Sequence, residues 1–252
     1  MCTIAVWFNV WKEAPLVIAA NRDEFLGRPA DVPRSRIIGG RRCIAPLDRE
    51  AGGTWMGVNE DELFVGITNR FGGLKDSTLR SRGRLVEAAL EYSTALEALR
   101  DFRALGSERY NPFHLIVADR RTCGIGVWDG ETVRVIENHQ GPLVVTERSF
   151  GEEVSVRERR LKGRCESLAK GALAPTSTEL GELLREHADP GFEGTCVHAE
   201  DQGYGTRSSA ILRWGPRPLE FTYLATAGAP CMENYRPWEE LAGVVLASDG
   251  RE

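Results

Sequence analysis

The chain has 252 residues, of which 42% are hydrophobic and 27% are charged, a composition typical of a globular protein with a sizeable core. Its 32 Lys and Arg residues and 37 Asp and Glu residues give a net charge of -5. The chain therefore has no overall positive field to attract nucleic acid or an anionic membrane, and neither is expected as a partner.

The N-terminal third is predicted to be mainly antiparallel sheet. Residues 3–10 and 15–20 are rich in apolar and β-branched side chains and predict a hairpin that starts near the N-terminus. The arginine-rich residues 27–40, with their Gly and Pro residues, predict a long ordered loop. Residues 54–58 and 63–68 predict two more strands, joined by a polar turn.

The rest of the chain alternates between helical and extended patterns. Four helices are predicted, at residues 85–92, from the capping box of Thr94 and Glu97, over residues 154–170, and from the capping box of Thr176 and Glu179. Further strands are predicted at residues 113–117, 124–128, 133–136, 143–146, 208–214 and 219–225. The charged run 157–160 in the third helix is expected to face solvent. These groups of strands and helices predict one α+β domain over residues 1–252, with sheets inside and helices outside.

Cysteine and histidine spacing gives no sign of a metal site. The six cysteines include no C-x-x-C pair, and the four histidines, His114, His139, His187 and His198, show no ligand spacing. No metal and no cofactor are therefore predicted. The chain also lacks a signal peptide and an apolar run of about 20 residues. We therefore expect no integral membrane segment and a cytoplasmic location with reduced thiols.

Cys2 has the features of an N-terminal nucleophile. It follows the initiator methionine and stands at the head of the first predicted strand. Removal of Met1 would expose an α-amine with a reference pKa of about 7.7 to 8.0, which suits a general base near neutral pH. The nucleophilic thiol and its base would then belong to one residue. Taken alone, a cysteine at this position is more often an incidental residue than a nucleophile.

A resemblance to a known family favours the catalytic interpretation. It is carried by seven blocks, which in chain order are Met1-Cys2-Thr3, Ala20-Asn21-Arg22-Asp23-Glu24-Phe25 followed by Arg28-Pro29, Ala51-Gly52-Gly53-Thr54-Trp55-Met56-Gly57, Ile67-Thr68-Asn69-Arg70, Ser81-Arg82-Gly83, Tyr110-Asn111-Pro112-Phe113 and Tyr204-Gly205-Thr206-Arg207-Ser208-Ser209. These blocks resemble the NRDE family, also called the transport and Golgi organisation protein 2 family. That family is similar to the N-terminal-nucleophile hydrolases of the choloylglycine hydrolase and penicillin V acylase type. The resemblance implies a four-layer αββα sandwich of two mainly antiparallel sheets.

The resemblance also implies four catalytic residues. Cys2 would be the nucleophile, and Asp23 would orient its amine. Asn69 would stabilise an oxyanion, or alternatively hold the turn that follows it. Arg207 would lower the pKa of the Cys2 thiol, or alternatively have a structural role.

Two arginines are candidates for substrate binding. Arg22 and Arg70 would receive an anionic group of the substrate, although Arg22 could instead brace its loop through Glu24. Glu147 is a departure from the acylase pattern, since it stands where a second oxyanion donor is expected and an ionised carboxylate cannot donate. Either a neighbouring residue replaces it, the site lies elsewhere, or the acyl-transfer reaction is weakened or lost.

Two functions are therefore predicted. The first is an N-terminal-cysteine amidohydrolase or acyltransferase that acts on a small amide or thioester through an acyl-enzyme on Cys2, with a substrate that carries an anionic group. The alternative is a non-catalytic protein on the same fold that binds and carries haem or acyl-CoA and lipid, since family members have been linked to haem trafficking and to lipid metabolism. The sequence does not predict the substrate or the oligomeric state.

Overall fold

The protein is described from a computed structural model, which covers residues 2–72, 76–105, 110–137, 139–151, 153–189, 191–217 and 221–237. These residues form two compact units. The first unit contains residues 2–28 and 140–237, and the second contains residues 29–139. The predicted single domain over residues 1–252 stays a prediction.

The two units together contain fourteen described strands and four described α-helices. The strands are β1 (Cys2–Trp11), β2 (Ala14–Phe25), β3 (Ala30–Ile38), β4 (Arg41–Asp48), β5 (Met56–Asn59), β6 (Phe64–Asn69), β7 (Phe113–Ala118), β8 (Cys123–Trp128), β9 (Val133–Ile136), β10 (Gly141–Val145), β11 (His198–Ala199), β12 (Tyr204–Trp214), β13 (Phe221–Thr226) and β14 (Arg236–Pro237). The helices are α1 (Gly83–Ala89), α2 (Ala95–Arg103), α3 (Val156–Leu168) and α4 (Ser177–Leu184). Short 3-10 turns occur at Gly191–Glu193 and Glu200–Gln202.

The sheet of the first unit is built on the predicted N-terminal hairpin. Its strand order is β10-β1-β2-β12-β13-β14, all antiparallel, with β11 added beside β12. Side chains of α3 and α4, such as Leu161 and Leu183, form a buried apolar cluster with Trp7 and Val17 of the sheet. The Trp7 indole also donates to the Cys165 carbonyl of α3 at 3.0 Å. These contacts fix α3 against the strand that begins at Cys2.

The sheet of the second unit has the order β3-β4-β5-β6-β7-β8-β9 and is also antiparallel. Helices α1 and α2 pack on it around a core that includes Leu99, Phe102 and Phe113. The helix α2 approaches β8 closely because two positions of that strand are glycine. A Cβ at Gly126 would lie 2.4 Å from Cε1 of Phe102.

Most predicted elements are confirmed, including both capping boxes at Thr94 and Thr176. The predicted loop over residues 27–40 is wrong, because most of it forms the edge strand β3. This strand lacks an apolar pattern. Pro33 stands where the pairing register shifts, between Asp31 and Arg34, a position that tolerates a residue without an N–H donor. The α+β class is confirmed, and among the described residues no helix combines the length and apolarity needed to cross a bilayer.

The glycine contact generates a prediction for stability. Gly126→Ala should lower the free energy of unfolding by about 1 to 3 kcal/mol, because the added methyl group must displace Phe102 in a packed core. Gly163→Ala is the matched control, since Gly163 is exposed in α3 and a Cβ there has no atom within 4 Å. It should raise the stability by about 0.5 to 1 kcal/mol. Urea unfolding measures both, and equal effects of the two variants would contradict the close packing.

Candidate functional site

Cys2 lies at the open end of the N-terminal hairpin. It pairs directly with Arg22 of β2, and Arg22 pairs on its other side with Ser208 of β12. Direct cross-strand partners project from the same face of a sheet, so these three side chains are neighbours. Cys2 is partly exposed and Arg22 is buried. The thiol sulfur accepts a hydrogen bond from the backbone N–H of Asp23.

The Asp23 carboxylate is held from several sides on the opposite face of β2. It is buried, and Oδ2 accepts from Nη2 of Arg157 at 2.8 Å. Oδ1 accepts from the Thr206 hydroxyl at 2.7 Å, and the hydroxyl of Tyr204 donates to the Asp23 backbone carbonyl at 2.7 Å. Asn21, two residues earlier, faces the same side and donates its amide to the carbonyls of Leu184 and Thr195. Asn21 and Asp23 therefore lie on the face of β2 opposite to Arg22.

Arg157 is the central cation of this arrangement. The prediction that it faces solvent is wrong. Only 2% of the residue is exposed. It stands one turn before Leu161 and two turns before Cys165, both buried, so it belongs to the apolar face of α3. The Ser155 side chain caps α3 by accepting from the Glu158 N–H. This placement turns the guanidinium toward Asp23 and the Thr3 hydroxyl, to which Nη2 also donates.

Glu147 is part of the same buried charge group. Its Oε2 lies 3.6 Å from Nη1 of Arg157, and the residue is 6% exposed. Within the described residues this Oε2 has no hydrogen-bond partner. Burial alone would lower the pKa of the Arg157 guanidinium, but the charges of Asp23 and Glu147 outweigh it and raise the pKa. Arg157 therefore stays charged and compensates two buried carboxylates.

In the chain that retains Met1, the pKa of the Cys2 thiol is raised, and the predicted lowering of this pKa by Arg207 stays a prediction. Burial raises its pKa above the ordinary value, and the negative charge of Asp23 acts in the same direction. The positive charges of the N-terminus and of Arg22 lower the pKa but do not offset burial. In this structure Cys2 follows Met1, so its nitrogen belongs to a peptide bond. The thiol is therefore neutral near pH 7 and needs a base before it can attack.

The remaining predicted site residues are described by their own contacts. Arg207, at a bulge of β12, donates Nη1 to the carbonyl oxygens of Phe25 and Leu26, and so ties down the end of β2. Asn69 ends β6 and pairs with Phe113 in the second unit. Arg70 follows it, and its N–H donates to the Pro112 carbonyl at 3.0 Å. The catalytic and substrate-binding roles of these three residues stay predictions.

Three residues of the site were missed by the sequence analysis: Arg157, Thr206 and Tyr204. Arg157 had a usable signal, since its spacing of four from Leu161 and of eight from Cys165 marks the buried face of a helix. Thr206 and Tyr204 stand in one of the family's sequence blocks, but the sequence does not indicate that they contact Asp23. Those contacts depend on the pairing of β12 with β2.

Solved structures of N-terminal-nucleophile hydrolases are similar to this chain in fold. The Caenorhabditis elegans N-acylethanolamine-hydrolyzing acid amidase ortholog has a TM-score of 0.57 at 14% identity, covering 86% of this chain and 93% of that chain. Penicillin V acylase from Agrobacterium tumefaciens has a TM-score of 0.56 at 14% identity, covering 90% and 83%. A variant of conjugated bile acid hydrolase from Clostridium perfringens has a TM-score of 0.57 at 9% identity, covering 94% and 96%. The chain has the fold of this class.

The sequence relatives define the family more closely. The family model described as Transport and Golgi organisation 2 matches residues 1–162. The chain belongs to this family, as its sequence blocks predicted. It is 30% identical over 257 residues to the Mus musculus Transport and Golgi organization 2 homolog, covering 84% of this chain and 88% of the relative. The Homo sapiens homolog is 28% identical with the same coverage.

The buried charge group predicts a large effect of losing its cation. Arg157→Met should lower the free energy of unfolding by about 3 to 5 kcal/mol, because Asp23 and Glu147 would be left as uncompensated buried charges. Arg159→Met is the matched control, since Arg159 is exposed on the same helix, and should change stability by less than about 0.5 kcal/mol. Denaturant unfolding measures both variants.

A double substitution tests whether the loss is electrostatic. Adding Glu147→Gln to Arg157→Met should recover about 1 kcal/mol or more, because it removes one of the two unpaired carboxylates. If the double variant is less stable than Arg157→Met by the full cost of Glu147→Gln alone, Arg157 and Glu147 do not interact.

Proposed function

We propose that the protein is an N-terminal-cysteine amidohydrolase or acyltransferase that acts on a small amide or thioester. Cys2 becomes the nucleophile after Met1 is removed. The three similar solved structures bear the names of an acid amidase that hydrolyses N-acylethanolamine, a penicillin V acylase and a conjugated bile acid hydrolase. The proposal includes a cytoplasmic location, where the six free thiols would stay reduced.

The observation that carries the proposal is the position of Cys2 relative to Asp23. The sulfur accepts from the Asp23 backbone N–H, while the Asp23 carboxylate is locked by Arg157 and Thr206. A carboxylate with both oxygens fixed by hydrogen bonds keeps one orientation, and catalysis requires groups held in a defined geometry. The pair therefore provides a nucleophile and an ordered group to orient the new N-terminus.

The proposed reaction uses the α-amine that Met1 removal creates at Cys2. The neutral amine takes the thiol proton, and the sulfur attacks the carbonyl carbon of the substrate. The C–N bond then breaks, and the ammonium returns its proton to the leaving nitrogen, which leaves a thioester on Cys2. Water attacks this thioester with the amine as base, the C–S bond breaks, and the thiol is regenerated. A raised thiol pKa is compatible with this route, because the base is intramolecular.

Other roles in the proposal come from the sequence. Asn69 would donate to the oxyanion, and Arg70 would bind an anionic group of the substrate. Arg22 would help in the same way or stabilise the thiolate, since its charge lowers the pKa of Cys2. Arg207 would act on the site through the end of β2, where it binds two carbonyl oxygens. The proposal requires no metal or cofactor for the reaction.

The reactivity of Cys2 before and after its amine is freed tests the proposal. We expect slow alkylation of Cys2 near pH 7 in a cleavable fusion that keeps residue 2 in a peptide bond, and an increase as the pH rises toward the elevated pKa of the thiol. Removal of the fusion partner to leave Cys2 first should speed alkylation at neutral pH and start turnover of an amide and thioester panel. Iodoacetamide labelling followed by peptide mass spectrometry measures the rate.

The control variants separate reactivity from folding. Cys2→Ala should abolish turnover without loss of thermal stability, and Asp23→Asn should slow it strongly. Cys43→Ala, which keeps Cys2 and changes a cysteine of the second unit, should retain turnover. Equal alkylation rates in the fused and the processed protein would rule out the amine as the base.

A second candidate is a non-catalytic carrier of haem or of acyl-CoA and lipid. The observation that favours it is the carboxylate of Glu147, which is buried beside Arg157 at the place where the acylase pattern has an oxyanion donor. A carboxylate would repel the developing oxyanion. The protein would then bind haem or acyl-CoA and lipid without cleaving them.

Titration of the Cys2→Ala variant separates the two candidates. A carrier should bind haem or acyl-CoA as tightly as the unchanged protein does, because no covalent step is involved, and neither protein should turn over an acyl panel. Haem binding is followed by absorbance and acyl-CoA binding by calorimetry. Turnover that Cys2→Ala abolishes, with no saturable binding of haem or acyl-CoA, would contradict the carrier.

A further inference from the structure

Two cysteines and two histidines converge in the first unit. They are His187, Cys196, His198 and Cys231, and their ligand atoms all lie within 4.8 Å of one another. His187 follows helix α4, Cys196 precedes β11, His198 belongs to β11, and Cys231 follows β13. Four separate backbone positions thus bring soft sulfur and imidazole groups to one point.

The distances among three of these atoms match the edges of a tetrahedron around zinc. Zinc–sulfur bonds of about 2.3 Å and zinc–nitrogen bonds of about 2.0 to 2.1 Å give tetrahedral edges of about 3.8 Å for sulfur–sulfur and about 3.6 Å for sulfur–nitrogen pairs. The two sulfurs are 3.6 Å apart. Nε2 of His198 lies 3.5 Å from the sulfur of Cys196 and 3.3 Å from that of Cys231.

The His198 ring is oriented for a metal by its neighbour Glu200. Nδ1 of His198 lies 2.7 Å from Oε1 of Glu200. With Nδ1 donating to the carboxylate, Nε2 carries the lone pair and points at both sulfurs. A histidine that ligates a metal is typically held in this way by a carboxylate on its other nitrogen.

His187 completes the set from the exposed side. Its ring is edge-on to that of His198, with centroids 4.7 Å apart and planes at 73°. The other three ligands are buried or partly buried, so the exposed imidazole is the one with room to adjust its rotamer. Two thiolates and two neutral imidazoles would make the zinc site neutral overall, which suits a partly buried position.

We propose that His187, Cys196, His198 and Cys231 form a structural zinc site. Zinc is favoured because two thiolates and two imidazoles in tetrahedral geometry are its typical ligands. Four protein ligands leave no open position for substrate, so the metal has a stabilising role. This proposal does not depend on the proposed catalytic activity.

The zinc site would stabilise β12, the strand whose Thr206 contacts Asp23. Val197, between two of the ligands, exchanges two hydrogen bonds with Thr206: its N–H donates to the Thr206 hydroxyl at 2.8 Å, and its carbonyl accepts from the Thr206 N–H at 2.9 Å. The Thr206 hydroxyl in turn donates to Asp23. Zinc would also anchor Cys231, and with it the segment after β13, to the start of β12.

Metal titration of the full chain tests the proposal. After chelation under reducing conditions, the protein should bind one Zn²⁺ per chain, and Co²⁺ should give the intense visible bands of tetrahedral cobalt with a near-ultraviolet thiolate charge-transfer band. Zinc should also raise the thermal unfolding temperature. The double variant Cys196→Ser/Cys231→Ser should lose the charge-transfer band and retain no stoichiometric zinc.

Further variants make the test specific. His187→Ala, an exposed change that should not disturb folding, should weaken zinc binding at least tenfold, and Glu200→Gln should weaken it about 10- to 100-fold. His139→Ala and Cys43→Ala, which keep all four ligands, should bind zinc as before. The proposal is overturned if Co²⁺ gives no tetrahedral spectrum, if the double variant still binds zinc, or if the sulfurs of Cys196 and Cys231 form a disulfide in the cell and the reduced protein binds no metal.

Discussion

The ion pair between Arg157 and Asp23 is the interaction on which the candidate site depends. It joins helix α3 to strand β2 in a fully buried environment, where an unpaired charge would cost several kcal/mol. Because the guanidinium also reaches Thr3 and Glu147, it connects β1, β2 and the segment after β10 to one helix. The orientation of Asp23, and through its backbone N–H the environment of the Cys2 sulfur, follows from this group.

Burial is the main reason why Cys2 is not an activated thiolate in the unprocessed chain. The negative charge of Asp23 also raises the pKa of the thiol, and the positive charges nearby do not offset the two effects. Activation then requires a base at the thiol itself, which the α-amine of residue 2 would provide. The raised pKa of Cys2 means that the thiol needs a base, and the proposed removal of Met1 supplies one.

Local signals in the sequence were enough for most of the fold. The capping boxes at Thr94 and Thr176 depend on neighbours within a few residues, and the structure confirms them. Strand β3 was missed because its edge position allows a polar, proline-containing pattern. Cys231 could not be connected to His198, 33 residues away, because only the folded sheet brings them together. The site residues Thr206 and Tyr204 were missed for the same reason.

Family membership and fold do not establish a reaction, and the proposed reaction depends on the N-terminal residue of the mature protein. A fold shared with amide hydrolases provides a strand that can present the Cys2 thiol. The α-amine that would activate this thiol is free only if the chain begins at Cys2. Intact mass spectrometry of the purified, untagged protein tests this most directly. The account predicts a mass lower than that of the full chain by one methionine residue. A protein that retains Met1 in every molecule would contradict it.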